Sequence, residues 1–168
     1  MKSRELLQDG YDRIAERVAA VVDGLNDDQL TTGPAGATNT IAWLVWHLTR
    51  VQDDHIADAA GSEQVWIADG WFERFALHLE ASATGYGHDP EEVAAVRASA
   101  DLLRRYHAAV HERTRRFLTG VDDADLDRVI DDGWDPPVTL GVRLISVLSD
   151  DLQHVGQAAY VRGILLNV

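Results

Sequence analysis

The chain has 168 residues, 46% of them apolar, with 28 acidic against 15 basic side chains and a net charge of −13. That length fits one domain, residues 1–168, with enough apolar mass for a sizeable core, and that charge argues against nucleic acid or an anionic membrane as the main partner. Cysteine is absent, which excludes a disulfide scaffold, a thiolate nucleophile and a cysteine zinc site, so any metal must be held by His, Asp or Glu.

The opening MKSRELLQDGYDRI lacks the apolar run of a secretory signal, and no later stretch approaches the ~20 apolar residues of a membrane span; a cytoplasmic protein is expected. Apolar periodicity predicts a first helix from about Ser3 to Asp23, with Ser3 as its cap and Leu6, Leu7, Ile14, Val18, Val21 and Val22 at helical spacing. A second helix follows TTGPAGATNT, capped by Asn39 or Thr40, and runs from Ile41 to about Ala60 before Gly61. The connection 61–98 is long. It holds Trp66 and Trp71, expected in the core or, being in a connection, lining a pocket mouth, then the loop TGYGH and the capped turn DPEE, where Asp89 caps, Pro90 opens and Glu92 reaches back.

A third helix is predicted from near Ser99 to Gly120, with Leu102, Leu103, Tyr106, Val110, Phe117 and Leu118 as its stripe. Residues 121–138 carry Trp134, and a fourth helix opens at Thr139 and continues to Gly163. Four helices with one long crossover imply an all-α fold, a four-helix bundle, in which ligand sites face the bundle core. The pairs Asp27/Asp28, Asp122/Asp123 and Asp131/Asp132 stand at helix starts and turns and read as capping and solubility features.

Several polar residues do not fit the stripes. On the fourth helix Asp150 and His154 are four apart, hence on one face, and the apolar Val147 and Val161 on that face point the pair inward. On the second helix IAWLVWHL sets His47 among apolar residues, with Asp54 two turns further along. A buried carboxylate is costly unless paired or bound to metal. His47 facing an Asp-x-x-x-His pair gives three converging ligands, the facial arrangement of an open Zn(II), Ni(II) or Fe(II) site. The alternative is a core histidine hydrogen-bonded to Asp150 with His154 packed passively. His107 and His111, though spaced like metal ligands, fall on the flank of the third helix's stripe and are expected to face solvent. His55 reads as a boundary residue, and His88 in TGYGH as a lid residue or fourth ligand.

With these residues in view, the chain resembles the DinB-like superfamily of bacterial four-helix bundles, which includes mycothiol-dependent maleylpyruvate isomerases and bacillithiol transferases. The resemblance spans essentially the whole sequence and rests on WLVWHLTRVQDDH and DDLQHVGQAAYVRG. The first is similar to the segment supplying that family's helix-two histidine, here His47. The second is similar to its C-terminal H-x-x-x-H-R-G-Q pattern, whose last histidine falls on His154. The earlier histidine is replaced by Asp150, where the mycothiol-dependent branch has a Glu, one methylene longer. Asp151 points about 100° away around the helix and is the poorer candidate.

The resemblance implies a divalent metal on His47, Asp150 and His154, a low-molecular-weight thiol as cosubstrate, a small-molecule electrophile and a homodimer. Metal coordination lowers the pKa of a thiol, which suits a chain without cysteine. The extra C-terminal domain of the maleylpyruvate isomerases is not expected in this chain. Three functions stay open: a thiol S-transferase or thiol-dependent isomerase; a non-catalytic bundle that binds a small ligand or partner; and a metal-assisted hydrolase with Asp54 as base. The dimer is also expected because apolar side chains of the first and third helices exceed what one bundle needs.

Overall fold

Helix α1 (Ser3–Val22) buries Leu7, Tyr11, Ile14, Val18, Val21 and Val22, a three- and four-residue recurrence that makes one apolar face. The computed structural model describes residues 1–34 and 39–166, so residues 35–38 of TTGPAGATNT lie outside the described residues. The cap of α1 is Lys2 rather than Ser3: the Glu5 carboxylate accepts the Lys2 backbone N–H at 2.9 Å, and Ser3 is already helical. A short helix, α2 (Asp27–Thr31), was not expected; Asn26 and Gln29 cap it reciprocally at 2.9 and 3.0 Å.

Helix α3 (Ile41–Ala60) starts and stops where the sequence predicts. Thr40 Oγ1 accepts Trp43 N–H at 3.1 Å, and Gly61 ends it with φ 63°, a left-handed cap that glycine adopts without strain. Every residue from Ile41 to Arg50 is buried, so α3 is the central helix. The connection after it folds into α4 (Val65–Ala68), α5 (Trp71–Phe75) and α6 (Pro90–Ala95). Two α3 side chains hold that connection down. The Asp53 carboxylate accepts the backbone N–H groups of Val65 and Trp66 at 2.8 and 2.7 Å, capping α4. Buried Arg50 donates to the carbonyls of Ala83 (3.0 Å) and Ala81 (3.4 Å). Trp66 and Trp71 are therefore core residues rather than a pocket mouth; both pack on Tyr106, with ring centroids 5.1 and 5.6 Å away.

Helix α7 (Ala100–Thr119) begins where the sequence predicts, with Ser99 as its cap. A 3-10 turn, Asp125–Asp127, and a two-stranded antiparallel ribbon, β1 (Val129–Asp131) with β2 (Val138–Thr139), lead into α8 (Leu140–Leu166), which runs one turn past its predicted end. Helices α1 and α3 each pack on both α7 and α8, so the long helices form a ring with α1 diagonal to α3. The Tyr11 hydroxyl donates to Leu144 O at 2.9 Å and ties α1 to α8. The all-α expectation holds. The described residues contain eight α-helices, four long (α1, α3, α7 and α8) and four short.

Two burial expectations need correction. The buried stripe of α8 passes through Leu144, Val147, Asp151, Val155 and Ala158, so Asp151 is fully buried while Asp150 lies at its edge. On α7 the stripe is Leu103, Tyr106, His107, Val110, Thr114 and Leu118; His107 is buried, not solvent-facing. The surplus apolar side chains also lie elsewhere. Among the described residues α7 exposes no large hydrophobic side chain and α1 only Leu6, whereas α8 exposes Val142, Ile145, Leu152, Tyr160 and Ile164.

Candidate metal centre

Helices α3 and α8 meet along their length, and this contact brings His47 to Asp150 and His154. One ligand atom from each of the three lies within 4.8 Å of the others, and the two imidazole centroids are 4.7 Å apart. They do not sit in the deep core. His47 is buried, but the Asp150 and His154 side chains are 37% and 17% exposed, at an edge that opens to solvent. The site adjoins a cavity of about 370 Å³ lined by His47, Val51, Asp54, His55, Thr84, Tyr86 and Asp150.

Each imidazole is oriented by an acceptor on its far side. The carbonyl of Thr84 lies 2.6 Å from His47 Nδ1; a carbonyl only accepts, so Nδ1 carries the proton and Nε2 keeps its lone pair. His154 Nδ1 lies 3.0 Å from Gln157 Oε1, which leaves His154 Nε2, 3.5 Å from Asp150 Oδ1, as the basic nitrogen. This far-side anchoring is the arrangement that metal-ligating histidines use. Trp43 stacks on His47, centroids 4.6 Å apart and 13° from parallel. Gly85, with φ +97°, also lies against the ring: a Cβ there would stand 2.5 Å from His47 Nδ1.

The charges follow from this packing. Burial lowers the His47 pKa, and the Thr84 carbonyl only partly offsets that. The hydrogen-bonding Asp150 carboxylate raises His154, against the opposing effect of burial. Burial works against ionisation of Asp150, but the imidazoles, His154 foremost, outweigh it and hold its carboxyl below the usual range. Asp151 is different: burial, and then Asp150 beside it, push its carboxyl well above the usual range, and neither oxygen has a hydrogen-bond partner.

Two imidazole Nε2 atoms and one carboxylate suit a borderline divalent cation such as Zn, Ni or Fe. Asp150 Oδ2 is buried with no hydrogen-bond partner, an acceptor that a cation would satisfy. The other candidates are placed differently. His88 Nδ1 accepts from Trp43 Nε1 at 3.3 Å and its ring stacks on Trp46, so it braces Trp43 and lies outside the three-residue cluster. Asp54 Oδ1 accepts from Gln64 at 2.6 Å, on the wall of the cavity. His55 Nδ1 accepts from Arg143 at 2.7 Å; burial, then Arg143, lower its pKa. Burial and neighbouring His111 bring His107 down to about 3, and His111 Nε2 lies 3.0 Å from Asp12.

Sequence reasoning missed Thr84 and Gly85, which reach His47 from 37 residues away in the chain. It also missed Gln157 and Arg143. For Gln157 a signal existed, since a residue three after His154 shares its helix face. For Arg143 it did not: its partners are His55 and Asp131, which the sequence read as a boundary residue and a turn.

Comparison with known proteins extends the picture. The crystal structure of a conserved protein from Enterococcus faecalis superposes with a TM-score of 0.93 at 35% sequence identity, covering 100% of this chain and 99% of that one. A search of curated proteins finds no match. A family model described as Mycothiol-S-transferase matches residues 6–166, which include every residue of the centre. The chain belongs to the mycothiol-S-transferase family, a DinB-like family.

Proposed function

We propose that this protein is a metal-dependent S-transferase, or a thiol-dependent isomerase, that brings a mycothiol-type thiol to a small electrophile. His47 Nε2, His154 Nε2 and a carboxylate oxygen of Asp150 would hold one divalent cation (Zn, Ni or Fe). When bound, the cation supplies Lewis acidity that lowers a thiol's pKa toward neutrality. Thr84 and Gln157 hold the two imidazoles in the tautomer that presents Nε2, and Trp43 and Gly85 fix the plane of His47. In the transfer the thiol S–H gives its proton to solvent and an S–C bond forms. Either a displaced group leaves with its electron pair, or the π electrons of an activated alkene move to the neighbouring carbon, which takes up a proton.

The observation that carries this reading is the anchoring of both imidazoles on their far sides, with three ligand atoms within 4.8 Å. We further propose that residues 1–168 act as one four-helix-bundle domain, working in the cytoplasm as a homodimer. Among the described residues no helix is long and apolar enough to cross a membrane, and the exposed apolar stripe of α8 is the surface a second copy would cover. The test of function is elemental analysis of untagged protein, followed by mycothiol consumption with monobromobimane as electrophile. Near one cation per chain, and thiol consumption above the uncatalysed rate that is abolished by chelation, are expected. Protein that binds no divalent cation, or consumes thiol at the uncatalysed rate when loaded, overturns the proposal.

A further inference from the structure

Beside the metal cavity lies a larger one, of about 470 Å³. The two share Val51, His55 and Asp150 in their walls, but the larger touches neither His47 nor His154. Its lining is mostly apolar: Val138, Val142 and Val147, with the indole of Trp134, which is 67% exposed. Arg143 is the only Arg or Lys that lines it.

Arg143 is built into this wall. Its side chain is 14% exposed; one terminal nitrogen donates to Asp131 Oδ2 at 2.9 Å and the other to His55 Nδ1 at 2.7 Å. A guanidinium carries five N–H groups, so these bonds fix its plane and leave donors free. Because Arg143 can only donate, His55 Nδ1 must accept, and the His55 proton lies on Nε2, a second donor on the wall common to both cavities. The hydroxyl of Ser146, also on the wall, is turned away to Val142 O at 2.8 Å. The wall also carries the carboxylates of Asp131, paired with Arg143, and Asp150, but the N–H groups that Arg143 keeps free beside valines and an indole suit a planar acceptor attached to an apolar body. A carboxylate answers that geometry best, since its two oxygens match the guanidinium fork.

We propose that this cavity binds the electrophilic cosubstrate, and that its class is a small aromatic or alkenyl carboxylate: the carboxylate on Arg143, the body against Trp134 and the valines. The assignment as cosubstrate rests on the thiol-transfer reading; the binding site rests on the cavity alone. A thiol drawn to the three-residue centre enters beside His47, in the smaller cavity. Asp150 and His55, on both walls, border the junction where the two molecules meet.

The test is isothermal titration of metal-free protein with cinnamate and with cinnamamide, which share a body and differ in charge. Cinnamate should bind at least tenfold more tightly than the amide. Arg143→Met should lose that preference, Arg143→Lys should keep part of it, and Trp134→Ala, at an exposed position, should weaken acid and amide alike. Equal affinity for the two probes, no binding of either at millimolar concentration, or an undiminished preference in folded Arg143→Met overturns the proposal. Should Arg143→Met fail to fold, Arg143→Lys and Trp134→Ala decide: wild-type behaviour in both overturns it. Since the titration uses no metal and no thiol, its failure leaves the transferase reading standing. Failure of the transferase assay likewise leaves this titration readable.

Discussion

The carbonyl of Thr84 accepts the Nδ1–H of His47 at 2.6 Å, joining a loop to a helix 37 residues earlier in the chain. Gly85 makes this possible, because its φ of +97° and lack of a side chain let the loop lie on the imidazole. Gly85→Ala would put a Cβ 2.5 Å from Nδ1 in a backbone conformation that L side chains avoid. We expect a stability loss of about 1–3 kcal/mol and divalent-cation affinity lower by about 10–100-fold. Thermal melting and chelator competition check the two effects separately.

His154→Ala should remove the cation and keep the fold. The side chain is partly exposed and lies outside the buried stripe of α8, so far-ultraviolet circular dichroism should match the parent. Elemental analysis should fall from near one cation per chain to near none. A variant that retains full metal content would remove His154 from the centre.

Metal affinity should depend on pH in a stated order. Protons and cation compete for the same Nε2 atoms. In the metal-free protein Asp150 raises His154 and burial lowers His47, so on acidification His154 protonates first, above the ordinary imidazole pKa of about 6.5. Apparent affinity should fall about tenfold per pH unit once His154 titrates, and more steeply when His47 follows. Zinc competition against a chelator between pH 8 and 5 measures it; a flat profile would contradict the ligand set.

His107 sets a separate acid limit on stability. Its pKa is held down to about 3 by burial, while the unfolded chain titrates near 6.5. Between these values the unfolded state binds the extra proton, so stability is lost as pH falls, by about 2 kcal/mol between pH 6.5 and 5. Urea melts of the parent and of His107→Gln at pH 7 and pH 5 test this: the variant should lose less on acidification.

The proposed homodimer depends on the outer face of α8. Ile145, Leu152 and Tyr160 are 56%, 42% and 72% exposed, and their spacing puts them on one face. Leu152→Glu should shift the protein to a species of 18.5 kDa in light scattering at micromolar concentration. A parent that is already monomeric there would overturn the dimer.

The long helices were legible because each repeats its apolar pattern over five turns or more. The short helices were not: α4 and α5 have 4 and 5 residues, too few to show a period, and a side chain of α3 caps the first. On α7, Leu102 and Phe117, both only partly buried, pulled the apparent stripe away from His107. His47, Asp150 and His154 could be picked out as polar residues against apolar surroundings, and the resemblance to a known family brought them together. Which of Asp150 and Asp151 is the more buried could not be read this way, since adjacent residues on an amphipathic helix differ by a rotation that only packing against α1 and α3 decides. Arg143, Thr84 and Gly85 act through partners distant in sequence, and local pattern carries no record of such pairs.

The centre divides into two halves, each complete before they meet. Helix α3 carries His47, and through Arg50, one turn on, it grips the carbonyls of Ala81 and Ala83 in the segment that leads into Thr84. One rigid rod thus holds both an imidazole and the segment that aims it. Helix α8 carries Asp150, His154 and Gln157, each within one turn of the next. Any shear between the two rods carries each half along intact and changes only the gap between them. Whatever occupies that gap works as a clasp: it reads the separation of two helices and asks no side chain to find a new rotamer or a new partner.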